Sequence, residues 1–224
     1  LYIKNLDKFN LYHKVYIDQI SYVLNLIGAN INTVPVLDLR RRFTHKIIGD
    51  RSYSFDKEII NKIGNLTIKA FNQNRIGTII KHIPGHGLSK KDTHLNLPKI
   101  NKKLSYLEKY DFSVFKNKKS LFAMTAHITF KSIDENYCIT HSKKGIKYIR
   151  NKIGFKNLII TDDISMGALK YSFKENVEKA FKAGCNLVLH CNGNIKEMEH
   201  LAKISPRVDA FIVKKTSEFY KLLS

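Results

Sequence analysis

The chain has 224 residues, 43% hydrophobic and 26% charged, the balance of a globular domain long enough for a substantial core. No apolar run reaches the ~18 residues of a membrane-spanning helix, and the opening residues LYIKNLDKFN break up any signal-peptide core, so a cytoplasmic location is expected. The net charge of +20 raises nucleic-acid binding, but the lysines are spread along the chain and accompany no recognition motif, so only weak, salt-sensitive adhesion to polyanions is expected.

Residues 11–27 place Val15, Ile17, Ile20, Val23, Leu24 and Ile27 near a 3.6 period, predicting a helix that Gly28 ends. Residues 32–37 form a short apolar strand finishing at Asp38, followed by a basic loop, RRRFTHKIIGDRSYSFD. Residues 56–74 return to helical period, and 77–82 read as a buried strand. From that strand hangs KHIPGHGLSKKDTH, residues 81–94, where Pro84, Gly85 and Gly87 break both regular periods. Residues 101–118 suggest one or two short helices, 121–126 a strand ending at His127, and 141–153 an amphipathic helix closed by Gly154. A strand at 157–161 ends on Asp162 and Asp163. A short helix is expected at 168–171, a firmer one at 176–183, a strand at 186–190, and closing helices at 195–204 and 207–223. Cys138, Cys185 and Cys191 are odd in number and scattered, which fits a reducing compartment, with Cys185 and Cys191 read as core residues.

Alternating strands and helices predict an α/β fold with a parallel sheet. Asp38, Lys81 and His82, His127, and Asp162 each stand at the C-terminal end of a strand. In a (β/α)8 barrel those ends converge on one functional face.

The Asp162–Asp163 pair has two readings, a helix cap or a catalytic carboxylate. In an extended segment Asp92 and His94 point the same way, so Asp92 can orient and polarise the His94 ring as a general acid/base; the alternative is a solvated loop histidine. Arg51, Lys81, His82 and His127 suit a polar ligand bearing hydroxyl and carbonyl groups, while Arg51 has the alternative of an ion pair with Asp50 or Asp56. His82, His86 and His94 match no standard zinc spacing, and the glycines form no phosphate-binding signature.

KHIPGHG followed by DTH resembles the KHFPGHG…DSH signature of glycoside hydrolase family 3, in its bacterial β-N-acetylglucosaminidase branch. VPVLDL, IGDRSYSFD, MTAHITF, LIITDDISMGAL and AGCNLVLHCN follow in that family's order, from about Gly28 to the C-terminus. The resemblance implies a TIM-type (β/α)8 barrel, with residues 1–224 as one catalytic domain. It also implies a retaining hydrolase that releases terminal β-linked N-acetylglucosamine from muropeptides in cell-wall recycling. Carried over by motif, Asp162 is the nucleophile, His94 the acid/base and Asp92 its dyad partner. Arg51, Lys81, His82 and His127 are carried over as sugar-binding residues, and no metal or organic cofactor is implied.

The chain departs from the pattern in three places. Leu88-Ser89 stands where the family usually has Asp-Thr, and Thr93 replaces Ser. Nothing matches the DQEGGRVQR-like segment that usually comes earlier, so the barrel is expected to be incomplete at its N-terminus. Such a barrel leaves sheet edges and apolar faces open. The protein is then expected to be unstable alone, inactive as a remnant, or paired with a separate chain that supplies the missing segment.

Overall fold

The computed structural model describes residues 2, 4–90 and 97–223. Its centre is a parallel sheet of five strands: β1 (Ile31–Asn32), β2 (Gly77–Ile83), β4 (Phe122–Thr125), β6 (Leu158–Asp163) and β7 (Leu187–Leu189), in the spatial order β1-β2-β4-β6-β7. Two further short strands, β3 (Lys99–Ile100) and β5 (Thr129–Phe130), pair in parallel with each other. The fold is an α/β open parallel sheet of the kind that makes part of a (β/α) barrel; among the described residues the sheet does not close into eight strands.

The helices are α1 (Leu6–Leu26), α2 (Lys57–Gln73), α3 (Leu104–Lys109), α4 (Lys143–Tyr148), α5 (Phe173–Ala183), α6 (Ile195–Ile204) and α7 (Ala210–Leu223). Side chains alternate across a strand, and this alternation assigns each helix to a face. Ile80, Ala123 and Ile159 point into the larger core, which takes in Ile60 and Ile68 of α2, Ile146 of α4, and Val177 and Ala180 of α5. Ile79, Phe122, Met124, Leu158 and Ile160 point the other way and pack against Phe219 of α7, with Ile212, Leu222 and Leu223 beside it. A Cβ added at Gly77, where β2 begins, would sit 2.5 Å from the Phe219 ring, so α7 lies directly on the N-terminal end of that strand.

Several expected elements differ at their ends for local reasons. The predicted strand at 32–37 is interrupted because Pro35 has no N–H to give to a ladder; pairing resumes as a bridge from Val36 to Lys81, with Leu37 N–H on the Lys81 carbonyl at 2.8 Å. The predicted helix at 168–171 is absent: a turn ends at Ala168, irregular chain and a bend follow, and the next helix starts at Phe173. There Ser172 and Glu175 form a reciprocal capping box, which supplies that helix's start. The predicted helix at 141–153 begins at Lys143, capped by Ser142, and ends in a wide turn through Ile153 closed by Gly154 at φ +85°.

Candidate active site

At the C-terminal ends of β2, β4, β6 and β7 lies a cavity of about 350 Å³, within the usual range of ligand pockets. Four of the residues singled out from sequence line it: Arg51, Lys81, His82 and Asp162. Strand alternation accounts for two of them, since Lys81 follows Ile79 and Asp162 follows Ile160 on the face that α7 covers lower down. A second cavity of about 500 Å³ shares Thr33, Arg51 and Lys81 with the first.

The loop after β2 is shaped by two glycines. Gly85 has φ +149°, and a Cβ there would come within 3.1 Å of Asp111. A Cβ on Gly87 would stand 1.8 Å from the Leu39 carbonyl oxygen, so that turn is open only to glycine. Arg41 clamps the same region, giving Asp111 two hydrogen bonds of 2.7 Å and Leu39 O a third of 3.0 Å. Thr44 Oγ1 donates to Gly87 O at 2.7 Å, tying the loop of residues 40–51 to the glycine turn.

Asp38 organises the floor, a role not assigned to it from sequence. Its carboxylate is fully buried and accepts from the His86 N–H (2.7 Å), from the His82 N–H (3.2 Å) and from the His82 ring at Nδ1 (2.7 Å). Burial alone would raise the Asp38 pKa; the His82 and His86 groups outweigh it, so the carboxyl titrates below its ordinary range. With Asp38 ionised, Nδ1 of His82 carries the proton, and Nε2 faces Asp162 Oδ2 at 3.8 Å, too far for a direct hydrogen bond. The sequence signal for Asp38 was its place at a strand end; its partners lie more than forty residues away.

Asp162 is largely enclosed, and its Oδ1 accepts the N–H of Asp163 at 2.9 Å. Burial would raise its pKa, but His82, His127, the Asp163 N–H and Lys81 together hold it below the ordinary carboxylate value. Asp163 caps the turn that follows, accepting from Ser165 N–H and Oγ, and its Oδ1 also takes the Cys191 N–H at 3.2 Å. Capping within the pair therefore falls to Asp163 and serves a turn, while Asp162 faces the cavity. Lys81 is held below its ordinary pKa by burial and then by the Arg51 charge, partly offset by Asp162 and Asp38. Arg51 donates to Ile47 O at 2.9 Å, and Asp50 pairs with Arg40, so among the described residues no carboxylate neutralises Arg51.

His127 stands behind the cavity, 1% exposed, with Nδ1 on Thr140 Oγ1 at 2.7 Å and Nε2 on the Asp163 carbonyl at 3.1 Å. Asp92 and His94 lie outside the described residues. Cys191, expected in the core, is exposed and lines the cavity because the chain has passed the end of β7; Cys138 and Cys185 are buried. Among the described residues no group of three or more His, Cys, Asp or Glu side chains is arranged to hold a metal ion, and no helix is long and apolar enough to cross a membrane.

A buried carboxylate kept ionised beside a lysine, an arginine and an oriented imidazole can serve as a nucleophile toward a polar, uncharged substrate. Comparisons with known proteins identify the family. The chain is 31% identical over 183 residues to a protein named beta-hexosaminidase from Nitrosomonas eutropha, covering 78% of this chain and 52% of that protein. A beta-hexosaminidase from Neisseria meningitidis serogroup C is 34% identical over 175 residues, covering 75% of this chain and 48% of the relative. The chain thus spans about half the length of these curated relatives. Among solved structures, NagZ from Neisseria gonorrhoeae in complex with N-trifluoroacetyl-D-glucosamine superposes with a TM-score of 0.83 at 26% identity, covering 95% of this chain and 62% of that one. The profile described as the glycosyl hydrolase family 3 N terminal domain matches residues 13–215, and the chain belongs to that family.

Proposed function

We propose that this chain is the catalytic domain of a retaining β-N-acetylhexosaminidase acting on terminal β-linked N-acetylglucosamine. The observation that carries the reading is the enclosed Asp162 carboxylate at the cavity wall, held ionised and flanked by Lys81, His82 and Arg51. In this reading Asp162 attacks the anomeric carbon while His94, oriented by Asp92, protonates the leaving oxygen; water then displaces Asp162 with His94 acting as base, giving net retention. Lys81, His82 and Arg51 hold the sugar hydroxyls, and His127 supports the nucleophile from behind. The adjoining cavity past Thr33 and Lys81 gives the aglycone room, in keeping with a muropeptide substrate in cytoplasmic cell-wall recycling. The reaction so written needs no metal or organic cofactor.

The test is hydrolysis of a chromogenic β-N-acetylglucosaminide by this chain beside Asp162→Asn, with folding followed by circular dichroism. Turnover that falls at least about a thousandfold in the folded variant supports the assignment. A folded wild-type chain without turnover rejects it for the chain alone; turnover appearing only on adding the N-terminal portion of a relative shows that a second segment completes the site.

A further inference from the structure

The strand that carries Asp162 leaves its β4 partner and shifts register against β7 just where the carboxylate must be aimed. β4 pairs with β6 only from Phe122 and Leu158 through Met124 and Ile160. On the other side the register with β7 slips after Ile160 and resumes at Asp163 beside Leu189, with the Ile164 N–H on Leu189 O at 2.9 Å. Side chains add to the hold on the main chain between those points. The Asp163 N–H donates to Asp162 Oδ1 at 2.9 Å, and the Asp163 carbonyl accepts from His127 Nε2 at 3.1 Å. Asp163 is thus gripped at both ends, by the carboxylate it aims and by a ring from the segment after β4.

The protons along this path are assigned by their partners. A carbonyl oxygen only accepts, so His127 must carry its proton on Nε2. Burial lowers the His127 pKa and keeps the ring neutral, leaving Nδ1 as an acceptor. Its partner there is Thr140 Oγ1 at 2.7 Å, which therefore donates; the alternative acceptor for that hydroxyl, Ala126 O, is at 3.5 Å. Thr125 Oγ1, 2.9 Å from Thr140 Oγ1, then donates to it. Thr125, Thr140 and His127 are all at most 1% exposed. The Cys185 thiol, 3.7 Å from the Thr140 carbonyl, braces the turn that presents the hydroxyl.

We propose that Thr140, backed by Thr125, is a positioning residue whose hydroxyl anchors the His127 ring at Nδ1, so that the Nε2–H fixes the Asp163 main chain and through it the direction of Asp162. The proposal rests on the reading of Asp162 as nucleophile. The anchoring of the ring is read without any activity. Thr140→Val keeps the shape of the side chain but removes the donor, leaving Nδ1 buried with an unfilled lone pair. The Asp163 carbonyl still selects the Nε2–H tautomer, but the ring loses its hold at Nδ1, and the Nε2–H···O bond to Asp163 loosens.

The experiment is 15N-histidine NMR of the folded chain together with steady-state kinetics on a chromogenic N-acetylglucosaminide. The wild type should show His127 as the Nε2–H tautomer from neutral pH down to the onset of acid unfolding. Thr140→Val should move the His127 Nδ1 shift to that of an acceptor nitrogen without a hydrogen bond and lower kcat about tenfold with KM within about twofold, while Thr140→Ser restores both. Should Thr140→Val fail to fold, Thr125→Val removes the preceding link and is expected to produce the same changes in smaller degree. A wild-type His127 that carries its proton on Nδ1, or on both nitrogens, overturns the proposal. So does a Thr140→Val protein with unchanged His127 shifts, or with turnover intact. A folded chain whose Nδ1 shift moves in Thr140→Val but which hydrolyses nothing supports the anchoring and counts against the glycosidase reading alone.

Discussion

Removing the Asp38 carboxylate is predicted to cost more than any single contact in the cavity suggests. Asp38→Ala deprives three buried donors of their acceptor at once: the His82 ring Nδ1–H and the main-chain N–H groups of His82 and His86. Hydrogen bonds to a charged group contribute roughly 1.5–3 kcal/mol each, and such contributions do not add when they share one acceptor. Breaking a buried charged pair by deleting one partner typically costs about 3–5 kcal/mol, and we expect a loss in that range. For a chain of this size that lowers Tm by roughly 6–20 °C. Asp38→Asn keeps the volume and one acceptor oxygen, so the loss should be smaller, about 1–3 kcal/mol. With that oxygen on the two main-chain N–H groups, the amide NH2 faces the ring and donates to Nδ1, so His82 moves its proton to Nε2 and presents it to the cavity beside Asp162. Urea and thermal unfolding measure the first effect, and histidine NMR the second. An Asp38→Ala protein that melts within about 2 °C of wild type with an unchanged urea slope would refute the view that this carboxylate holds the floor together.

The remaining predictions concern the loop and the pH response. Gly87→Ala places a Cβ against the Leu39 carbonyl and must displace the loop or that chain segment, so it should destabilise by several kcal/mol; Gly154→Ala, in open space at positive φ, should cost only about 1 kcal/mol. Equal unfolding midpoints for the two variants would show that the close approach at Gly87 has been misread. His86 and His141 are both pushed down to about 4, chiefly by burial, with His82 adding for the first and His127 and Lys179 for the second. As pH falls, the unfolded chain takes up these protons first, near 6.5. The stability tied to the two neutral rings is therefore whole above about 6.5 and drains away down to about 4, by up to about 3 kcal/mol apiece. Asp38, whose folded pKa is lowered, adds a further loss below the ordinary carboxylate range. Urea titrations at intervals from pH 7.5 to 4.5 should show this slope, and a flat profile would contradict it. Ser172→Ala removes the side-chain half of the α5 capping box, while its main-chain N–H can still donate to Glu175, and should cost about 1 kcal/mol, read from the same urea curves.

Much of this architecture was legible in the residues because its signals are local. Runs such as GTII and NLIIT are apolar on both faces, as strands covered by helices on one side and α7 on the other must be. Polar groups at strand ends pointed to one face, and Arg51, Lys81, His82 and Asp162 do share a cavity there. What escaped reading depends on distance along the chain. Asp38 meets its partners 44 and 48 residues later, and nothing beside it says that it is their acceptor. Thr140 sits in an unremarkable turn and matters only because β4 and the turn of residues 139–141 bring its hydroxyl to His127. Proline broke the first strand, since it has no N–H to give to the ladder. The charge of +20 describes the surface, where lysines such as Lys143, Lys144 and Lys147 are exposed, and says little about the cavity.

The central claim is that Asp162 forms a bond to the sugar, and covalent trapping tests it most directly. A 5-fluoro-N-acetylglucosaminyl fluoride loses fluoride from its anomeric carbon as a carboxylate attacks, and the ring fluorine slows the water step that would release the product. Incubation of the folded chain followed by intact mass and peptide mapping should give one added fluorosugar per chain, on the peptide containing Asp162, and none with Asp162→Asn. Labelling at another residue, or a folded protein that hydrolyses the chromogenic substrate yet carries no label on Asp162, would contradict the account.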